Sequence, residues 1–263
     1  MSKAQKRVLN VIRRLFIPIA RLLIHFNVDC RQTIEMLKSA FVEVARSDYG
    51  IRERKTNISR VALLTGLTRK EVRRLVDRIE RDATADEIEE TPLQRLLSAW
   101  SREAKTASGK PANIDFDGTE KSIEGLKHHI SVDLPAGAIR YELLRVGAIK
   151  ETKSGKFRME RGRLLTDRKA EELCQTIRMI EAAALNVARN VIEERKEAWP
   201  NVCVESRQIR TKDVETLRMA SMRKVKEFGE QLTGIYRGYD ELYPATKNEA
   251  TVSSGVVVFH YEK

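Results

Sequence analysis

The chain has few of the residues that staple or metallate small folds. Its three cysteines, Cys30, Cys174 and Cys203, are odd in number and far apart, so neither a disulfide framework nor a thiolate cluster follows. Isolated thiols of this kind suit a reducing compartment, where they pack as small hydrophobes. Histidine is also sparse. His25, His128, His129 and His260 are scattered, and the adjacent pair is expected to point to different faces of a helix, away from any cysteine or carboxylate at ligand spacing. No glycine-rich loop leads into Lys-Ser/Thr, which argues against an NTPase. No nuclease-like set of carboxylates and no Ser, His, Asp arrangement is legible, so the expectation is a binding protein without cofactor or metal, not an enzyme. Long apolar runs are missing too. The basic start Lys3 to Ile24 could pass for a signal peptide, but Pro18 and Arg21 interrupt it and no small-residue cleavage site follows. A cytoplasmic, nucleoid-associated protein with no membrane partner is expected.

Positive charge, by contrast, is abundant and unevenly placed. The 263 residues carry a formal net charge of +11 and 41% apolar residues, enough to fill the cores of two or three small domains. Residues 1–81 hold 19 Lys and Arg against 8 Asp and Glu, while the remainder has 30 of each. The whole excess therefore sits in the first third of the chain, which should attract polyanions.

That third contains ISRVALLTGLTRKEVRRLVD, residues 58–77, whose spacing matches a helix-turn-helix. Ile58 to Thr65 reads as a first short helix, and Gly66 supplies the positive φ that a sharp turn needs. Ala62 allows close helix contact, and Val61, Leu67, Val72 and Leu75 fall on the faces to be buried. Thr68 and Glu71 form the two halves of a capping box that starts the second helix. This helix is expected to carry Arg69, Lys70, Arg73, Arg74 and Arg78 outward, toward phosphate.

Around this motif, Lys3 to Phe26 is helical in pattern, with Pro18 expected to kink or split it. Its amphipathic basic start could lie on an anionic membrane, but packing on its own domain or on a second subunit is the simpler expectation. Asp29 caps a helix from Cys30 to Arg46, and Arg52, Arg54 and Lys55 precede the motif where they could touch phosphates. After Arg81 the charge turns acidic, then Thr91-Pro92 opens a helix ending near Trp100, read as a core anchor. Ala104 to Gly118 reads as a loop. Helices over Ser122 to Ile130 and Pro135 to Val146, with Gly147 as stop, precede a hairpin through Lys153-Ser154-Gly155. Three helices and a hairpin is the order of a winged helix. The hairpin region Lys150 to Arg163 holds six basic residues and two acidic ones, and Lys153, Lys156 and Arg158 are placed to grip a DNA backbone. A long helix from Asp167 to Ala198, a strand over Val202 to Ile209, a helix over Lys212 to Gly238 and a strand over Val256 to Tyr261 predict a C-terminal αβαβ module.

The segments SRVALLTGLTRKEV (59–72), LLRVGAI (143–149) and GVVVFHYE (255–262) together resemble an uncharacterised proteobacterial family known only as a domain of unknown function. The resemblance covers most of the chain and implies a predicted DNA-binding protein, without naming ligand, target or catalytic residue.

The expected fold is mainly α with a small β component (α+β), in three parts. These are a helix-turn-helix domain over 1–90, a winged-helix-like domain over 91–165, and an α+β dimerisation or effector module over 166–263. The expected function is transcriptional regulation by a homodimer on double-stranded DNA. The helix beginning at Thr68 would enter the major groove, Arg69, Lys70 and Arg73 would face base edges, and Arg74, Arg78, Arg52, Arg54 and Lys55 would hold phosphates. The alternatives are a sequence-tolerant architectural DNA-binding protein and a protein-interaction adaptor.

Overall fold

The computed structural model describes residues 1–50, 56–82, 88–130, 134–192, 198–206, 208–246 and 249–262. It divides into two compact units, Met1–Leu173 and Cys174–Lys263. Helix dominates, and the one sheet among the described residues is a two-stranded antiparallel ribbon. No helix among these residues is long and apolar enough to cross a membrane.

The first unit opens with α1 (Lys3–His25), started by a complete capping box between Ser2 and Gln5. It runs unbroken through Pro18, so the expected split does not occur. Residues 3–18 are exposed throughout, and Phe26, just past its end, is buried. Packing of this helix on its own domain is thus confined to its last turns, through half-buried Ile19, Leu22 and Leu23.

Next come α2 (Cys30–Ser47), capped reciprocally by Asp29 and Gln32, α3 (Ile58–Thr65) and α4 (Arg69–Glu80). The three pack around Val42, Ala45, Val61, Val72, Leu75 and Val76, with Ile58, Ala62, Leu67 and Ile79 at the margin. Apolar positions three and four apart on each helix make this possible, since they fall on one face.

A second, separate core lies in the same unit. It joins α5 (Pro92–Glu103), a five-residue 3-10 turn at Gly125–His129, α6 (Ala136–Arg145) and the hairpin β1 (Ile149–Glu151) and β2 (Phe157–Met159). Trp100 is fully buried and its indole N–H donates to the Ala112 carbonyl at 2.9 Å, so the ring anchors the core as expected. Ile149 pairs with Met159 and Glu151 with Phe157, and Ile114 adds a bridge to the far side of Phe157. The α6 helix ends on Gly147 at φ +68°, where the Ala148 N–H reaches back to Leu143 and the Gly147 N–H to Leu144. The expected helix over 122–130 is reduced to the 3-10 turn. Polar Ser122, buried at the turn's entry, donates to the Thr119 carbonyl and accepts from the Gly125 N–H, which favours a tight turn over helix initiation.

The second unit is built differently. It contains most of α7 (Asp167–Ile192) and α8 (Val214–Leu242), preceded by a 3-10 turn at Thr211–Asp213. The two expected strands are not formed among the described residues, so the αβαβ reading is corrected to two long helices with extended connections. Segments 202–206 and 256–262 do approach, through the Tyr261 hydroxyl donating to Glu205 at 3.0 Å, but no backbone ladder joins them. Apolar alternation made Val202 and Val204 look strand-like, yet both stand almost fully exposed with nothing to pack on.

Candidate nucleic-acid interface

The sharpest local geometry lies between α3 and α4. The Asn57 side chain caps α3 by accepting from the Arg60 N–H at 2.9 Å. Gly66 then adopts φ +74° and its N–H closes on the Ala62 carbonyl. Two residues later the Thr68 hydroxyl accepts from the Glu71 N–H at 3.2 Å and fixes the first turn of α4. The chain therefore reverses between two helices whose inner faces share one core.

Only half of the expected capping box is present. The Glu71 carboxylate does not return to Thr68; it pairs with Lys38 of α2 at 2.7 Å, because a charged ammonium competes better for it than a neutral backbone N–H. This contact belongs to a network between α2 and α4. Glu35 receives Arg74 at 2.8 Å, Arg78 at 3.4 Å and Lys38 at 3.2 Å. Burial alone would raise the Glu35 carboxyl, but the donors Arg74 and Lys38 outweigh it and hold it below the usual carboxylate range. Glu71, then Glu35, raise the Lys38 ammonium above its ordinary value.

This network corrects one expected phosphate contact and engages a second. Arg78 is 6% exposed and lies inward against Glu35, so it clamps α4 to α2 and does not project outward. Arg74 is half-exposed but already engaged by Glu35. Charge counting could not separate these two arginines from their neighbours. The signal lay in the α-helical period: positions 74 and 78 share a stripe one step from Leu75, facing Glu35 and Lys38, which are themselves one turn apart on α2.

Arg69, Lys70 and Arg73 lie on the outer surface of α4. All three are exposed at the N-terminal end of α4, and no acidic side chain among the described residues lies within ion-pair distance. Arg52, Arg54 and Lys55 lie outside the described residues. In the hairpin, Lys153 stands exposed at the tip, but Lys156 pairs with Asp115 at 3.0 Å and Arg158 with Glu160 at 2.6 Å. On α6, Arg140 lies over the Phe116 ring at 4.7 Å and Arg145 is held by Glu142 at 2.5 Å.

The histidine pair also departs from expectation. On the 3-10 turn the His128 and His129 rings lie 3.9 Å apart, centroid to centroid, and His129 Nε2 is 2.9 Å from a Glu103 oxygen. A carboxylate 26 residues away in sequence leaves no spacing signal, and the tight turn, not read in advance, brings the rings to one side.

A family profile described as "Family of unknown function (DUF6502)" matches residues 6–263 of the chain. No curated protein and no solved structure gives a match.

Proposed function

Because the chain belongs to this family of unknown function, whose description carries no activity, we propose a function from geometry and charge: a DNA-binding transcriptional regulator that inserts α4 into the major groove as a homodimer. One observation carries it. Arg69, Lys70 and Arg73 form an open cationic group at the start of a helix whose other side is locked into a core and an ion-pair network. A helix held that rigidly can offer its N-terminal side chains to base edges without ordering them at the moment of binding. Arginine and lysine there match the acceptors of guanine, and Arg74 at the rim can exchange its carboxylate partner for a phosphate.

The dimer is supported by α1. Val8, Val11, Ile12, Leu15, Ile19 and Leu22 share one face of that helix, and Lys3, Lys6, Arg13, Arg14 and Arg21 lie opposite. Exposed apolar surface of this extent calls for cover, and a second copy would supply it while leaving the basic side open to phosphate. Two copies would then read half-sites about one helical turn, roughly 34 Å, apart.

We read the second region as winged-helix-like, with the 3-10 turn in place of the middle helix and Ile114 adding a bridge to the hairpin at Phe157. We read it as a backbone grip. Exposed Lys150, Lys153, Arg161 and Arg163 favour the second reading, a sequence-tolerant architectural protein. Replacing both Arg69 and Arg73 by alanine separates the two: lost base preference supports the regulator, and unchanged preference with a conserved salt slope supports the architectural protein.

A further inference from the structure

The 3-10 turn before α6 does something that DNA recognition does not need. Gly125 opens it, and a β-carbon there would meet the Thr119 and Glu120 carbonyl oxygens at 2.3 and 2.4 Å, so only glycine fits. Leu126 is fully buried in the second core beside Trp100, and Ser122 holds the entry from within. The turn is thus a rigid platform packed on α5. From it His128 and His129 project toward Glu103, the last residue of α5.

We infer that Glu103, His128 and His129 form a binding site for a divalent transition-metal ion of the zinc class. One oxygen of Glu103 and one ring nitrogen from each histidine lie within 4.8 Å of one another. Three ligands around a zinc ion at about 2 Å sit roughly 3.3 Å apart, so a small rotation of the exposed His128 ring closes the set. His128 Nδ1 lies 2.7 Å from the Gly125 carbonyl oxygen. That bond keeps the proton on Nδ1 and leaves Nε2 its lone pair, the arrangement by which metal-binding histidines are oriented.

His129 supplies the second reason. Its Nε2 is shielded from solvent and makes no well-aligned hydrogen bond, although the Glu103 oxygen is 2.9 Å away. The distance alone would pass for a hydrogen bond; the ring orientation does not. A shielded nitrogen left without a hydrogen bond beside a carboxylate can ligate a metal ion together with it, and two imidazoles with one carboxylate suit zinc and its neighbours, not magnesium or calcium. Arg102 donates to the same Glu103 oxygen at 3.3 Å and would yield it or share it. A bound ion would tie the end of α5 to the turn and leave coordination positions open to water.

The test is a zinc titration of the metal-stripped full chain against a chromophoric chelator, under reducing conditions. The wild type should take one equivalent with micromolar or tighter affinity, and H128A and E103Q should each weaken it tenfold or more. H25A, which retains every cysteine as those variants do, should leave affinity unchanged. Zinc should also raise the melting temperature of the wild type and not of H128A. Absence of saturable binding, or binding indifferent to both H128A and E103Q, overturns the site.

Discussion

Two regions of the first unit carry basic side chains on a helix and its surroundings, yet of the two helices only α4 leaves a group of them open. At the start of α4, Arg69, Lys70 and Arg73 face solvent with no acidic neighbour among the described residues. In the second region, Lys156, Arg158 and Arg145 each hold a carboxylate, and Arg140 rests on Phe116. A count of charges treats these regions alike; their partners separate them. A cation already satisfied by a carboxylate must give it up before it can bind phosphate, so its net contribution falls. The α4 group pays no such exchange.

Removing the open group should break this contrast most strongly. R69A and R73A are each expected to cost about 1–3 kcal/mol in specific DNA affinity and to relax base preference, read by competition binding at fixed salt. Arg78 sits on the same helix in the opposite role. R78A should cost about 1–3 kcal/mol of folding stability in urea denaturation, by removing a donor from Glu35, with base preference intact. If R78A instead relaxed sequence preference while the fold kept its stability, its clamping role would be wrong.

Glu35 sharpens the same point through pH. Its folded-state pKa is lowered, so its contribution to stability is fully present above the unfolded value and is lost as pH falls through the folded one. Stability should therefore fall as pH drops from the normal carboxylate range toward the lower folded value, and E35Q should flatten that limb of the stability curve. A smaller effect is expected from α1: L15E should turn a dimer into a monomer in sedimentation and weaken operator binding through lost half-site coupling. A dimer surviving L15E places the interface elsewhere. Least affected should be the hairpin. K156A and R158A should barely change affinity, and K153A should lower it evenly across sequences while reducing the salt slope by about 1.

How much of this was legible in residue order follows from range. The α3–Gly66–α4 turn was readable because its determinants, the αL glycine, the Thr68 cap and the apolar period, all lie between Val61 and Leu75. Trp100 and the hairpin were readable for the same reason. Arg78 was misread because its partner Glu35 is 43 residues away, and outwardness was judged from charge instead of from the helical stripe. The Glu103 and His129 contact was invisible on the same grounds. In the second unit the apolar alternation of 202–209 and 256–261 suggested strands, but no sheet forms among the described residues for them to join. There α7 and α8 leave Ile180, Leu185, Val191, Phe228 and Ile235 exposed, a composition whose structural meaning lies in whatever covers it.

Selection of bound fragments from a random-sequence DNA pool, at about physiological salt where the Debye length is roughly 8 Å, tests the central claim most directly. The open α4 group predicts a palindromic motif with half-sites one helical turn apart, lost in the R69A/R73A double variant. Bound DNA without any motif, or no bound DNA at all, would contradict it.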